Sequence, residues 1–469
     1  IDSPVRVDPS VRQKISYKAG MTVEPGVVFQ IAEDKGISVD GSCSEVSIVG
    51  NDTANGSITF EGQNDKTWLG MAFTGSCPQT DDRHVLSYVD FKNTSESAIA
   101  AGSRHGNTAA GQPSTNSNVG NFSMDHVNFD NVATAFSHGS GDGTVITMSD
   151  YSISNAQDSC LDFAKDSVVT LTSGTLNNCN LGDDPAHGAI VSDGISTKGS
   201  LTVEFLNVTN AYRNLIDVDF SAVSLTHIDA VLPSGSQTGH AVNSVGRGVS
   251  GSTAWCGLYA SCTHIENLTV TGGTYDEGIT VSSATDYHLE KISLEGGDVE
   301  YDYAGLGSVP TKYNAMIDDI TTTGDLIIEG GSVPATVSTL SVNAILMSGD
   351  ATSSNSLQAS DWMAAGEIRI QACGWNVAID TFTATGIALS CSSSNNKNRV
   401  TASNGVVTHD YDDPTMPHAM YARNSDLTLG ESSITSLDIG GALPSGAGIA
   451  QVAYGSSNGD IRLIAIELI

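Results

Sequence analysis

Two stretches of this chain set carboxylates beside an imidazole. Asp183-Asp184-Pro185-Ala186-His187 is echoed by His409-Asp410-Tyr411-Asp412-Asp413-Pro414 with His418 downstream, and His240 follows a glycine in a polar segment. Two carboxylates facing each other across a water hydrolyse a glycoside with inversion, one as acid and the other as base. Asp183, Asp184, His187 and His240 are therefore the candidate catalytic residues. An Asp-Asp-Pro sequence is also what a tight turn prefers, and that reading competes with the chemical one. Asp81-Asp82-Arg83-His84 reads most simply as a solvated local ion pair. The densest acidic run is Glu290, Glu295, Asp298, Glu300 and Asp302, and within it Asp298, Glu300 and Asp302 are candidate ligands for calcium, although the spacing of an EF-hand or nonapeptide loop is missing. Elimination on a uronate would need calcium to acidify the proton and an Arg or Lys to remove it. The chain has only 20 Lys and Arg, and no basic pair one repeat apart stands beside a carboxylate cluster.

The elements that would position these groups are announced by a beat: apolar-x-apolar, then Asn or Gly two residues on. It runs through Val89-Asp90-Phe91 with Asn93, Val127-Asn128-Phe129 with Asn131, and Tyr151-Ser152-Ile153 with Asn155. Leu176 with Asn178, Leu206-Asn207-Val208 with Asn210, Leu268-Thr269-Val270 with Gly272, and Ile292-Ser293-Leu294 with Gly296 continue it. The steps are 38, 24, 23, 32, 62 and 24 residues, a unit of about two dozen residues with insertions. The apolar pair reads as a short strand with one buried face, and Asn or Gly tolerates the left-handed backbone of a corner. Stacking such units puts equivalent Asn side chains in register, where each amide can donate to the next. A two-sheet sandwich has no need of Asn at one offset in successive units. The expected fold is thus all-β, a right-handed parallel β-helix with loop insertions.

Composition agrees. Of 469 residues 39% are apolar, only 6% are aromatic and 49 are glycine, which suits short β-branched strands between turns. Helical signals are nearly absent; the best is Asp8-Pro9 through Ile15, with a capping Asp and Pro at the first helical position. Acids outnumber bases 53 to 20, giving a net charge of −33 spread along the chain. Such a surface repels nucleic acid and anionic lipid, and it gives divalent cations a reason to bind. Calcium is accordingly the possible cofactor, and none is required. Eight cysteines form four sequence neighbours, Cys43 with Cys77, Cys160 with Cys179, Cys256 with Cys262 and Cys373 with Cys391, without CxxC or a His cluster at zinc spacing. Disulfides in an oxidising, extracellular compartment are expected, the neighbour pairing being one of 105 connectivities. Asn51, Asn55, Asn93, Asn121, Asn207 and Asn267 open Asn-x-Ser/Thr sequons and are candidate glycosylation sites, each equally an ordinary turn Asn. No apolar stretch is long enough to span a bilayer, and no signal peptide is present, so export implies a leader removed ahead of Ile1. Asp460–Ile469 stops within a strand-like pattern, which suggests a longer chain or a last strand awaiting a partner.

A family resemblance becomes concrete at residues 19–41, where Thr22-Val23-Glu24-Pro25-Gly26-Val27 leads to Gly36-Ile37-Ser38-Val39-Asp40-Gly41. These residues, with Gly56-Ser57-Ile58-Thr59-Phe60 and Trp68-Leu69-Gly70, resemble the opening coils of secreted right-handed parallel β-helix proteins of the pectate-lyase-like superfamily. The resemblance extends to about residue 300. It implies a fold and export, and no single activity, since that group includes lyases, hydrolases, adhesins, viral spikes and envelope scaffolds. The hydrolases of the group carry Asn-Thr-Asp, Asp-Asp, Gly-His-Gly and Arg-Ile-Lys in order. Here Asp183-Asp184, Gly239-His240 and Arg369-Ile370-Gln371 keep the order, but the steps of 56 and 129 residues are too long and the first element is missing.

Breaks in the beat mark decorations: polar loops at 103–120 and 233–261, the second carrying His240, Arg247, Trp255 and Tyr259, and an irregular stretch within 300–365. Three segments follow: a lead-in over 1–18, β-helix over 19–340, and continued β-helix or a β cap over 341–469. The leading expectation is an extracellular structural or adhesive module of a cell-surface, envelope or filament protein. Its partners would be carbohydrate or neighbouring subunits, with self-association possible through the C-terminal strand. The alternatives are a polysaccharide-cleaving lyase or hydrolase and a viral receptor-binding spike.

Overall fold

The computed structural model describes residues 5–6, 21–40, 45–74, 83–102, 119–139, 143–164, 167–193, 199–245, 262–282, 286–302, 315–329, 336–391, 398–410, 420–423, 425–430, 433–437, 454–456, 461–464 and 467–468. Among these, one turn of 3-10 helix at Gln63–Asp65 is the only helical element, and the strands pair with their neighbours in parallel. The chain is a parallel β-helix. The short helix expected at 8–15 lies outside the described residues. Contacts divide the chain into two compact units, one of Ile1–Thr263 with Leu268–Tyr275 and one of His264–Asn267 with Asp276–Ile469.

In the first unit the coils before Arg83 use three short strands each, Met21–Val23, Val28–Ile31 and Ile37–Asp40, then Val46–Val49, Ile58–Gly62 and Met71–Thr74; from Arg83 on, a coil contributes a long strand and a short one. Long strands Arg83–Lys92, Asn121–Val132, Val145–Ala156, Val168–Cys179, Ser200–Ala211 and Ala222–Val231 pair in sequence order. Their register stacks Leu86, Met124, Met148, Leu171, Val203 and Leu225 in one buried column. A second column holds Phe91, Phe129, Ile153, Leu176, Val208 and Ala230. The short strands bury a third column, Ile99, Phe136, Leu161, Ile190, Ile216 and Val242. Phe29, Phe60, Phe91 and Phe129 stack ring on ring with centroids 4.6, 5.3 and 5.3 Å apart, one per coil.

The long strand and its end turn at two left-handed residues. Asn93, Asn131, Asn155, Asn178 and Asn210 have φ between 53° and 58°, the corner the beat foretells. Five residues before each lies a second left-handed residue: Tyr88, His126, Asp150, Ser173 and Phe205, with His227 in the next coil. Asn, Asp and His suit such a backbone, whereas Tyr, Ser and Phe do not, so the mixed residues of this crease carry no uniform sequence signal. The Asn ladder is real: Asn131 Nδ2 donates to Asn93 Oδ1 at 2.8 Å, Asn178 to Asn155 at 2.8 Å and Asn210 to Asn178 at 3.1 Å. Asn155 is the exception and donates to Asp130 at 2.9 Å.

The second unit repeats the scheme. Leu289, Ile317, Val337, Ala359, Ile379 and Ala402 form one column, and Val299, Leu326, Ile345, Ile368, Ile387 and Met420 another. Parallel pairing therefore continues beyond residue 341, through Ser425–Gly430 and Ile461–Ile464.

Three expectations need correction. The irregular stretch at 300–365 contains the strands Ala315–Thr321, Leu326–Glu329, Thr336–Val342 and Ile345–Ala364; its left-handed residues Asp319, Thr339 and Asp361 continue the crease, each one residue before the buried Ile320, Leu340 and Trp362. The excursion at 233–261 starts later, because Ser236–Val245 is a regular strand that buries Ala241 and Val242 among Gly, His, Asn and Ser. The positive φ near Leu294 belongs to Gly297 rather than Gly296.

Cys160–Cys179 and Cys373–Cys391 are disulfides, each joining neighbouring coils, with separations of 19 and 18 residues. Closing loops of that size removes roughly 3 kcal/mol of chain entropy from the unfolded state. Cys262 is also disulfide-bonded, while Cys43, Cys77 and Cys256 lie outside the described residues. The bonds fit an oxidising environment. No helix among the described residues is long and apolar enough to cross a membrane.

Candidate functional site

Coil stacking links Asp183, through Arg213, to Thr238 of the strand that also carries His240. The corner is built on the turn that leads into the short strand Asn214–Val218. Asp183 sits in left-handed backbone with φ 53° and forms a two-pronged ion pair with Arg213, Nε to Oδ1 at 2.6 Å and Nη2 to Oδ2 at 3.2 Å. Arg213 also donates to Thr238 of the following coil. Asn214 Oδ1 accepts the backbone N–H of His240 at 3.0 Å, and Asn214 Nδ2 donates to Asp217 Oδ2 at 3.2 Å. Asn243 Nδ2 closes the other side, donating to Asp217 Oδ1 at 2.9 Å. Gly239 is required here: its φ is +120°, and a Cβ would lie 2.5 Å from Asn214 Oδ1.

Asp217 is the group at this corner with a raised pKa. Burial pushes its carboxyl up, and the amide of Asn243 and the charge of His240 offset part of that rise. A partly desolvated carboxyl beside an imidazole is the kind of group that general-acid chemistry uses. Sequence reasoning missed Asp217, since Asn214-Leu215-Ile216-Asp217-Val218 reads as a plain strand. Its only signal was an acid at an outward position of a strand next to the His240 insertion.

The other candidates are engaged in structure. Asp184 Oδ1 accepts the N–H of Ala186 at 2.9 Å, which makes Asp-Asp-Pro an Asx turn. Fully buried Asn180 clamps that turn, donating to the carbonyls of Asp184, His187 and Tyr212 and accepting the N–H of Asp184. His187 Nδ1 lies 3.0 Å from Ser159 Oγ. The chain thus sets His240 near Asp217, ties Asp183 to Arg213 just ahead of the same strand, and holds Asp184 and His187 in the turn that Asn180 clamps. Of the echo at 409–418, the side chains of His409 and Asp410 and all of residues 411–419 lie outside the described residues, as do Asp81 and Asp82.

Of the calcium candidates, Asp298 Oδ1 accepts the N–H of Asp325 at 2.8 Å and Glu300 faces outward from Val299–Asp302 in register with Ile327. The side chain of Asp302 is outside the described set. Of the sequon asparagines, Asn55 and Asn207 are exposed. Asn51 Oδ1 accepts from the backbone and hydroxyl of Thr53, Asn93 belongs to the Asn ladder, Asn121 Oδ1 accepts the N–H of Val145 and Asn267 donates to Glu266.

Elsewhere on the long strands the outward polar groups bind their equivalents on the next coil. Asn128 donates to Asp90 at 2.8 Å and Ser152 to Asn128 at 2.6 Å. Ser149 donates to Asp125 at 2.6 Å and Ser154 to Asp130 at 2.7 Å. Of the resemblance to pectate-lyase-like proteins over about residues 19–300, the parallel β-helix is what the described strands bear out. No protein-family model, no curated protein and no solved structure matches this chain.

Proposed function

We propose that this chain is an extracellular structural or adhesive β-helix module, a part of a cell-surface, envelope or filament protein. The observation that carries this reading is the use of outward Asn, Ser, Thr and Asp side chains as rung-to-rung hydrogen bonds along the long strands. Groups bonded sideways in this way stiffen the stack and are not free to seize a substrate. Inter-coil disulfides and an acidic surface suit a stack of coils in an oxidising medium. Partners of such a module are carbohydrate or neighbouring subunits; nucleic acid is disfavoured by the charge. A viral receptor-binding spike shares these features, and nothing observed favours it over a surface module.

A second reading, polysaccharide cleavage, is favoured by one observation: Asp217, with its raised pKa, beside His240. Against it, both Asp217 oxygens already accept from amides. A panel of neutral and uronic polysaccharides, incubated with and without calcium, decides between the two. The module reading expects no new reducing ends and no unsaturated products. Turnover abolished by Asp217→Asn would establish the enzyme and remove the module as the primary role.

A further inference from the structure

Asp125, His126 and Asp150 form a cluster that neither reading above uses. Asp125 faces outward near the middle of Asn121–Val132, and His126 follows it at the crease with φ 51°. Asp150 occupies the crease of the next coil with φ 46°. His126 Nδ1 lies 2.9 Å from Asp125 Oδ2, and one ligand atom from each of the three residues falls within 4.8 Å of the others. Among the described residues no other group of three His, Cys, Asp or Glu does so.

Contacts from outside the trio hold two of its members. Ser149 Oγ donates to Asp125 Oδ1 at 2.6 Å, leaving Oδ2 turned toward the imidazole. The ring of Tyr88 stacks on His126 at 4.4 Å from the preceding coil and fixes its plane. Such outer partners orient metal ligands in known sites.

We propose that Asp125, His126 and Asp150 bind a borderline divalent ion, Zn²⁺ or its neighbours Cu²⁺ and Ni²⁺, and so clamp one coil to the next. One imidazole nitrogen with two carboxylate oxygens is the donor set of such ions, which accept three protein ligands and complete their shell with water. Calcium takes about six to eight oxygens and gains little from imidazole. Two ligands at about 2.1 Å from a common zinc stand roughly 3.4 Å apart when tetrahedral, so the present 2.9 Å approach of Nδ1 and Oδ2 needs only a small opening. On binding, the ion takes the Nδ1 position and the ring proton resides on Nε2.

The test uses the whole chain and its His126→Asn and Asp150→Asn variants. Asn suits the crease, where Asn267 and Asn404 already stand with φ 55° and 54°, so both variants keep the fold. Calorimetric titration with Zn²⁺ should show affinity at this site reduced at least about ten-fold in each variant. The wild-type Cu²⁺ electron paramagnetic resonance spectrum should show nitrogen coupling that His126→Asn removes, and Ca²⁺ in excess should not displace Zn²⁺. Zn²⁺ should also slow amide exchange in Asn121–Val132 and Val145–Ala156. Unchanged Zn²⁺ stoichiometry and affinity in both variants, or equal competition by Ca²⁺, would overturn the site; unchanged exchange would overturn the clamp.

Discussion

His138 shows what burial does to a single residue in this architecture. It lies in the short strand Thr134–His138, is 4% exposed, and its Nδ1 meets Ser167 Oγ at 2.8 Å. Burial pushes its pKa down from 6.5 to about 4. Between those values the unfolded chain takes up a proton that the folded coil refuses, so stability falls as pH drops through this window and levels off below it. A shift of this size corresponds to roughly 3 kcal/mol. Exchange protection of Thr134–His138, corrected for intrinsic rates, should therefore decline between pH 6.5 and 4 in the wild type. His138→Gln should decline less over the same range, and equal slopes would refute the assignment. At the same scale Asp217 and Asp125 show opposite outcomes for outward carboxylates. Burial dominates for Asp217 and raises its pKa. For Asp125 burial also pushes upward, but the Ser149 hydroxyl and the bond and charge of His126 outweigh it and hold the pKa low.

Between neighbouring coils, large inward rings are fitted by glycines in register. Tyr151 stacks over Gly174, where a Cβ would come within 2.3 Å of the ring, and Phe382 lies over Gly405, where it would come within 2.0 Å. Both contacts involve buried rings with no room to retreat. Gly174→Ala should cost about 1–3 kcal/mol in a denaturant melt, as overpacking does. Tyr151→Phe in the Gly174→Ala background should recover part of that loss, because it removes the hydroxyl 2.4 Å from the added carbon. No recovery, or no initial loss, would mean that the coils can shift apart there. The beat made the Phe91, Phe129 and Ile153 column and the Asn93 to Asn210 corner legible in sequence, as did the neighbour rule for Cys160–Cys179 and Cys373–Cys391. It failed where the repeat uses other residues: Ser236–Val245 buries the adjacent Ala241 and Val242, and Ala315–Thr321 buries Ile317 and Ile320 three apart, so neither shows the apolar-x-apolar step.

For the whole molecule, the net charge of −33 is the term that no local contact offsets. Stacking coils a strand spacing apart gathers like charges that an unfolded chain keeps separate, so self-repulsion opposes the stack. Added sodium chloride, from low ionic strength to about 0.15 M, should raise the melting temperature by screening. A flat or falling melting temperature would show that ion pairs such as Asp183–Arg213 and Lys291–Glu290 already balance the charge. The sequence by itself determined the period, the inward columns, the Asn corners and the acidity, because each is a property of one unit or of the sum. Only the tertiary structure decided that Tyr88, His126, Asp150 and Phe205 share a left-handed crease, and that Asp125 and His126 meet Asp150 while Asp183 meets Arg213. Those partners lie one coil apart, some two dozen residues or more along the chain. They become neighbours because parallel stacking sets successive coils about 4.8 Å apart, and insertions between beats leave the register unwritten until the coils pack.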